Sequence, residues 1–119
     1  MKVLLVNGGP HEKGCTNVAL EEIKKELNRE NIDAEIMWIG LKPISGCIAC
    51  NRCLNTNNRC VFDDKVNKFL DKVNESDGFV FGSPVHFAGA SGALTSFLDR
   101  AFYGRGKMFA GKVCASVVS

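Results

Sequence analysis

The chain has 119 residues, of which 45% are hydrophobic, and a formal net charge of +2. This length accommodates a single domain, residues 1–119, with a sizeable core, and leaves no room for a second domain. Lys and Arg are scattered without a basic block, which argues against a nucleic-acid partner. No apolar run approaches membrane-spanning length or forms a signal-peptide core, so we expect a cytoplasmic protein with no membrane partner.

The first third of the chain predicts a strand, a helix and a second strand. The apolar residues 3–6 are typical of a buried strand, and residues 16–29 have the helical period of a partly buried helix. Residues 33–39 alternate only partially and include a charge, as a strand near the edge of a sheet does. The glycine-rich residues 7–17 therefore form a strand-to-helix loop.

Residues 41–63 form a cysteine-rich segment without periodicity. After it, the rest of the chain continues the alternation of helices and strands. Asp63 and Asp64 offer an N-cap for a second helix, residues 78–82 predict a fully buried parallel strand, and residues 112–118 predict a fourth strand. The apolar stripes of the second and third helices are Val66, Phe69, Leu70 and Val73, and Leu94, Phe97, Leu98, Ala101 and Phe102. This order predicts an open parallel α/β sheet whose strand-end loops meet at one edge.

The glycine-rich loop has the features of a phosphate site. Gly9 and Gly14 have the spacing of the nucleotide-triphosphate loop, but Cys15-Thr16 replaces its Lys-Ser/Thr, and the dinucleotide pattern G-x-G-x-x-G is absent. Backbone N–H groups and the Thr16 hydroxyl would suit one terminal phosphate, as in FMN. A tight turn without ligand is the alternative.

Four cysteines in the segment 41–63 have the spacing C-x2-C-x2-C-x6-C. They are Cys47, Cys50, Cys53 and Cys60. This spacing favours a [4Fe–4S] cluster, with zinc, or free thiols and disulfides, as alternatives. Of the other two cysteines, Cys114 is predicted to be a buried inert thiol and Cys15 has no predicted catalytic role. Arg52 and Arg59 are predicted to be solvated rather than to offset the charge of a cluster.

The loop at residues 83–89 contains no evident acid–base pair. Its proline-fixed turn places backbone amides beside an aromatic side chain. The amides could hydrogen-bond a flat heterocycle such as the flavin ring, and the aromatic side chain could pack beside it. We therefore predict no catalytic side chain, because the flavin would carry the chemistry.

Taken together, these motifs resemble those of the NAD(P)H-dependent FMN reductase family, and most closely its iron–sulfur flavoprotein branch. The resemblance covers the whole chain and rests on three stretches: Asn7-Gly8-Gly9-Pro10, residues 46–64, and Gly82-Ser83-Pro84-Val85-His86-Phe87 with Phe97-Leu98-Asp99-Arg100. It implies a flavodoxin-like, three-layer α/β fold with strand order 2-1-3-4-5. It also implies FMN, a [4Fe–4S] cluster on the cysteine motif, NAD(P)H as co-substrate, and a homodimer or larger homo-oligomer.

The resemblance also assigns cofactor-binding residues by position. They are Gly9, Pro10, His11, Gly14, Cys15, Thr16, Asn17, Ser83, Pro84, Val85, His86, Phe87 and Gly89. His11 stands where many relatives have arginine, which implies a weaker and pH-dependent phosphate affinity, and His86 stands where tyrosine is common. Relatives continue past the fourth strand into another flavin-contacting loop, so we expect order 2-1-3-4 here, in a truncated domain or one completed by association.

The function expected from these features is that of an FMN-dependent oxidoreductase that takes electrons from NAD(P)H or another donor and relays them through the cluster. One alternative is a non-enzymatic, flavodoxin-like electron carrier or redox-sensing module. Another is a zinc-stabilised interaction domain without flavin.

Overall fold

Strands and helices alternate along the chain in a computed structural model that describes residues 1–103 and 105–119. In chain order the elements are β1 (Lys2–Asn7), α1 (Cys15–Arg29), β2 (Asp33–Trp38), α2 (Lys65–Val73), β3 (Gly78–Ser83), β4 (Val85–His86), β5 (Gly89–Ala90), α3 (Gly92–Phe102), α4 (Gly106–Phe109) and β6 (Val113–Val118). The cysteine segment contains only a short 3-10 helix, Arg52–Leu54. Within the described residues, every helix is too short or too polar to span a membrane.

The central sheet has four parallel strands in the order β2-β1-β3-β6. This confirms the predicted order, since β6 is the fourth main strand. Leu5 on β1 pairs with Ile36 on one side and with Val80 on the other. Because all four strands are parallel, their carboxyl ends lie at one edge of the sheet.

Alternating side chains of β1 supply a separate core on each face of the sheet. Leu5 packs with Leu20 of α1 on one face, whereas Leu4 packs with side chains of α2 and α3 on the other. Phe69 is central to this second core, where its ring centroid lies 5.2 Å from that of Phe97. The result is the predicted three-layer arrangement, with α1 on one face and α2 and α3 on the opposite face.

Side-chain hydrogen bonds cap the first turns of two helices. The Asp64 carboxylate accepts from the Val66 N–H at 3.1 Å, which confirms the predicted cap of α2. Ser91 caps α3 by accepting from the Leu94 N–H at 3.2 Å. The beginnings of α2 and α3 are therefore fixed locally.

Strand β6 lies at the edge of the sheet and remains largely exposed. Val113 and Val118 are 72% and 65% exposed. Cys114 is exposed as well, so the prediction of a buried thiol at this position is wrong. The apolar alternation of residues 112–118 identified a strand, but it could not show that this strand has a neighbour on one side only.

Strands β4 and β5 form a small antiparallel hairpin over residues 85–90, which was not predicted from the sequence of this loop. Its two-residue turn, Phe87-Ala88, has positive φ at both positions, 45° and 61°. Hairpin turns of this shape normally take Asn-Gly, because bulkier residues are strained there. The turn residues therefore gave no hairpin signal in the sequence.

Candidate functional site

The glycine-rich loop is tied to the neighbouring strand β3 and to its own first residue. The Gly8 N–H donates to the Gly82 carbonyl at 2.8 Å, and the Gly9 N–H donates to Oδ1 of the buried Asn7 at 2.9 Å. A Cβ at Gly8 would lie 2.8 Å from Cβ of Leu94 and 2.9 Å from the Gly82 oxygen. Glycine at this position thus lets the loop, β3 and α3 approach closely.

The beginning of α1 offers unpaired backbone donors. Its N-cap residue Gly14 makes no side-chain cap hydrogen bond, and the first turn contains no acidic residue. Free N–H groups and the positive end of the helix dipole therefore face the loop. A Cβ at Gly9 would lie only 3.2 Å from Asn7 Oδ1 and 3.3 Å from Thr16 Oγ1. The absence of a side chain at Gly9 therefore keeps the space between the loop and the beginning of α1 open.

An open cavity of about 300 Å³ lies at this helix end and brings two of the predicted loops together. Its lining includes eight of the predicted cofactor-binding residues, Gly9, Pro10, His11, Gly14, Cys15, Thr16, Pro84 and His86. The remaining lining residue is Ser119, whose Oγ lies 2.9 Å from Thr16 Oγ1. Sequence reasoning missed Ser119, although a polar residue directly after a strand lies at the ligand-binding edge of a parallel sheet.

The other five predicted residues do not line this cavity. Asn17 and Ser83 are buried, and Ser83 Oγ accepts from the Ser91 N–H at 2.9 Å, which is a structural contact. Val85, Phe87 and Gly89 belong to the exposed hairpin or its turn. Phe87 is fully exposed at the tip of that turn, so its ring is available to a ligand and packs against no core residue.

The four cysteines of the C-x2-C-x2-C-x6-C segment line one small cavity of about 20 Å³. The other lining residues are Ile48, Asn51, Val61, Phe62, Arg100, Tyr103 and Arg105. In the part of the chain that the structure describes, no three His, Cys, Asp or Glu side chains form a group that could hold a single metal ion. The thiols therefore surround a common space without converging on one point.

Arg100 is one of two buried arginines that line this cavity. Its side chain is 1% exposed and makes a two-pronged ion pair with Asp64, with N–O distances of 2.7 and 2.8 Å. Its Nε donates to Cys60 Sγ at 3.3 Å. Burial alone would lower the pKa of Arg100, but the hydrogen bonds to Asp64 and Cys60 outweigh it and raise the pKa. Arg100 is thus a permanent cation held against one of the predicted ligands.

The prediction that Arg52 and Arg59 are solvated is confirmed, but Arg100 and Arg105 were not identified from the sequence as residues of this cavity. Arg52 is exposed, and Arg59 makes surface ion pairs, including one with Asp71. Neither lines the cavity, whereas Arg100 and Arg105 do. The signal for Arg100 was its position three residues after Phe97, on the buried stripe of α3; no such signal existed for Arg105.

Helix α3 connects the two cavities. At its beginning, Ser91 Oγ donates to the Gly8 carbonyl at 2.7 Å, and near its end Arg100 contacts Cys60. No described residue lines both cavities. The predicted meeting of strand-end loops is therefore observed for the glycine-rich loop and residues 83–89, whereas the cysteine segment packs against the beginning of α2 and the end of α3.

Comparison with known proteins gives a consistent result. The family model for NADPH-dependent FMN reductase matches residues 1–119. An iron-sulfur flavoprotein of Methanocaldococcus jannaschii is 35% identical over 100 residues, which are 84% of this chain and 51% of the relative. Another from Clostridioides difficile is 30% identical over 121 residues, covering 100% of this chain and 54% of the relative. The resemblance to this family and branch is confirmed, and the chain spans about half the length of these curated relatives.

Solved structures show the same fold at low sequence identity. A crystal structure of RosB with a bound riboflavin-phosphate intermediate has a TM-score of 0.74 and 18% identity, covering 99% of this chain and 51% of that one. FerB of Paracoccus denitrificans, a flavoenzyme NAD(P)H:acceptor oxidoreductase, has a TM-score of 0.70 and 16% identity over 98% of this chain and 59% of that one. The flavodoxin-like architecture is therefore confirmed.

Proposed function

Since the chain belongs to the NADPH-dependent FMN reductase family, we propose that it is an FMN-dependent oxidoreductase with an iron–sulfur cluster as its second redox centre. The observation that carries the proposal is the cavity at the uncapped end of α1, which is built from two loops at the carboxyl edge of the sheet. Ligands bind at this edge in open parallel sheets. When bound, FMN supplies hydride and single-electron chemistry in its ring, and a cluster supplies one-electron transfer.

The glycine-rich loop would bind the phosphate of FMN. The N–H groups at the start of α1 and the Thr16 hydroxyl are donors, and Gly9 leaves the space that a side chain would fill. Ser119 adds a second hydroxyl beside Thr16. Pro84 and His86 would lie along the ring, with Phe87 at the exposed tip of the hairpin. No acid–base side chain is required for these roles.

The four thiols would bind a [4Fe–4S] cluster rather than zinc. A structural zinc site needs four ligands at about 2.0–2.3 Å from one ion, and the described side chains contain no such convergent group. A cubane cluster is held by four cysteine thiolates, and the four cysteines of this segment line one common cavity. Free thiols of this kind persist in a reducing compartment, so we place the protein in the cytoplasm.

We also propose that the chain works as a homodimer or larger homo-oligomer. Apolar side chains of the cysteine segment are exposed, with Ile48 at 60% and Leu54 at 61%. Exposed apolar surface of this kind is typical of association sites. Size-exclusion chromatography with light scattering tests this proposal, and a monomer at micromolar concentration would contradict it.

The visible spectrum, flavin content and iron and sulfide content of anaerobically purified protein test the cofactor assignments together. Bound FMN and about four irons per chain are expected. Cys53→Ser should lose iron and sulfide while retaining FMN, because the two cavities share no lining residue. Cys114→Ser, a change outside the cavity, should retain both cofactors. A colourless, iron-free protein that takes up neither FMN nor iron would contradict the proposal.

Steady-state oxidation of NADH and NADPH by the loaded protein tests the enzymatic part. We expect turnover with at least one of the two nicotinamides. Reduction only by a protein partner, with no nicotinamide oxidation, would instead indicate an electron carrier.

A further inference from the structure

Arg105 is a buried cation whose hydrogen bonds leave one nitrogen without a partner. It is 3% exposed, its Nε donates to the Asn58 carbonyl at 2.6 Å, and its Nη1 donates to the carbonyls of Tyr103, at 3.2 Å, and Arg100. Among residues 1–103 and 105–119, its Nη2 is the one buried side-chain nitrogen or oxygen that lacks a hydrogen-bond partner. Native proteins rarely leave such a donor unpaired, so a further acceptor is expected at this position.

The charge of Arg105 is also uncompensated. Arg100, its neighbour in the cavity lining, is neutralised by Asp64, but no carboxylate in the described part of the chain forms an ion pair with Arg105. A buried cation without an anion is costly. A water molecule could accept the hydrogen bond, but it would leave the charge unmatched.

Arg105 is one of the residues that line the cavity shared by Cys47, Cys50, Cys53 and Cys60. A group that both accepts a hydrogen bond and carries negative charge would satisfy Arg105 completely. An iron–sulfur cluster with four thiolate ligands has both properties, since its sulfurs accept hydrogen bonds and its net charge is negative. The contact between Arg100 Nε and Cys60 Sγ, at 3.3 Å, shows that a guanidinium of this cavity already reaches one sulfur.

We propose that Arg105 donates a hydrogen bond from Nη2 to a sulfur of the cluster and thereby stabilises the reduced form of the cluster. This inference rests on the proposed function, because it requires a cluster in the cysteine cavity. Reduction adds one negative charge to the cluster, so a fixed cation and a hydrogen-bond donor favour the reduced state and raise the reduction potential. Arg105 acts on the cluster and touches no substrate.

Potentiometric titration of the loaded protein, followed by electron paramagnetic resonance of the reduced cluster, tests this role. Arg105→Gln should lower the reduced-to-oxidised ratio at a fixed potential by tenfold or more, and tenfold corresponds to 59 mV for one electron. Arg105→Lys, which retains the charge but loses the planar fork, should give a smaller shift. Arg52→Gln is the matched control, because it removes an arginine of the cysteine segment that does not line the cavity, and it should leave the potential unchanged.

A measurement on the unaltered chain covers the case in which Arg105→Gln fails to fold. With 15N-labelled arginine, electron–nuclear double resonance of the reduced cluster should detect a second 15N coupling in addition to that of Arg100 Nε, which already contacts Cys60 Sγ. Absence of the second coupling would overturn the inference. An unshifted potential in Arg105→Gln at full iron content would overturn it as well. If the unaltered protein binds no iron or sulfide, the proposed function itself fails, and this outcome is read from metal analysis before any potential is measured.

Discussion

The ion pair between Asp64 and Arg100 gives a quantitative test of what holds the cysteine segment in place. Asp64→Asn removes the charge but retains an oxygen that can cap α2 by accepting from the Val66 N–H. Arg100 would then be a buried cation with only carbonyl and sulfur partners, those of Ser45, Phe62 and Cys60.

The expected loss of stability follows from the burial of the two partners. Breaking a buried ion pair by removing one partner costs about 3–5 kcal/mol. Arg100 is fully buried, but the side chain of Asp64 is 32% exposed, so solvent screening reduces this to about 2–3 kcal/mol. For 119 residues, an unfolding entropy of about 2.1 cal/mol/K per residue gives a fall in Tm of roughly 8–12 °C.

Thermal unfolding followed by far-ultraviolet circular dichroism measures this change in the cofactor-free protein. Asp63→Asn is the matched control, because it makes the same chemical change at a side chain that is 84% exposed and 3.5 Å from Arg59. The control should lower the free energy of unfolding by less than about 0.5 kcal/mol. Equal Tm shifts for the two variants would refute the argument that Arg100 depends on Asp64 for its burial.

Three further changes test other parts of the structure. Gly8→Ala should cost about 1–3 kcal/mol in urea unfolding, because its Cβ would overlap atoms of β3 and α3, whereas Gly92→Ala, with no atom within 4 Å, should be neutral. A hydrogen bond from Lys72 lowers the pKa of Glu35 below its usual value, so this pair stabilises the fold at neutral pH and the contribution is lost as pH falls through the lowered pKa. Glu35→Gln should therefore lower the free energy of unfolding at pH 7, by under about 1 kcal/mol since the side chain is 36% exposed, and the difference from the unaltered chain should shrink as the pH falls through the lowered pKa. Thr16→Val should raise the FMN dissociation constant by about tenfold in a fluorescence titration, the value of one hydrogen bond, and an unchanged constant would exclude this hydroxyl from the phosphate site.

Local sequence patterns were sufficient to predict the sheet and most of the α1 cavity. Apolar runs identified the main strands, and the parallel topology then placed residues 83–89 beside the glycine-rich loop. Gly9 and Thr16 were predicted to lie together because glycine spacing reports the backbone geometry of a strand-to-helix loop, and both residues line this cavity. These features are encoded within a few residues of one another.

The features that were missed depend on contacts between distant parts of the chain. Arg105 is buried among partners that include the Asn58 carbonyl, which lies 47 residues earlier in the chain. No periodic pattern in the sequence predicts a contact of this kind. Cys114 is exposed because β6 is an edge strand, which is a property of the whole sheet. The hairpin at Phe87-Ala88 was hidden by turn residues that disfavour its backbone shape.

Helix α3 sets the spacing between the two candidate cofactor sites. Ser91 and Arg100 are nine residues apart, which in an α-helix corresponds to about 14 Å along the axis. Both ends are anchored by hydrogen bonds, Ser91 to the glycine-rich loop and Arg100 to Cys60, so neither end can slide without breaking a contact. An inserted residue would turn Arg100 by about 100° away from its partners. The length of α3 therefore fixes the distance between the two candidate sites. We expect α3 to tolerate substitutions on its exposed face far better than any change in its number of residues.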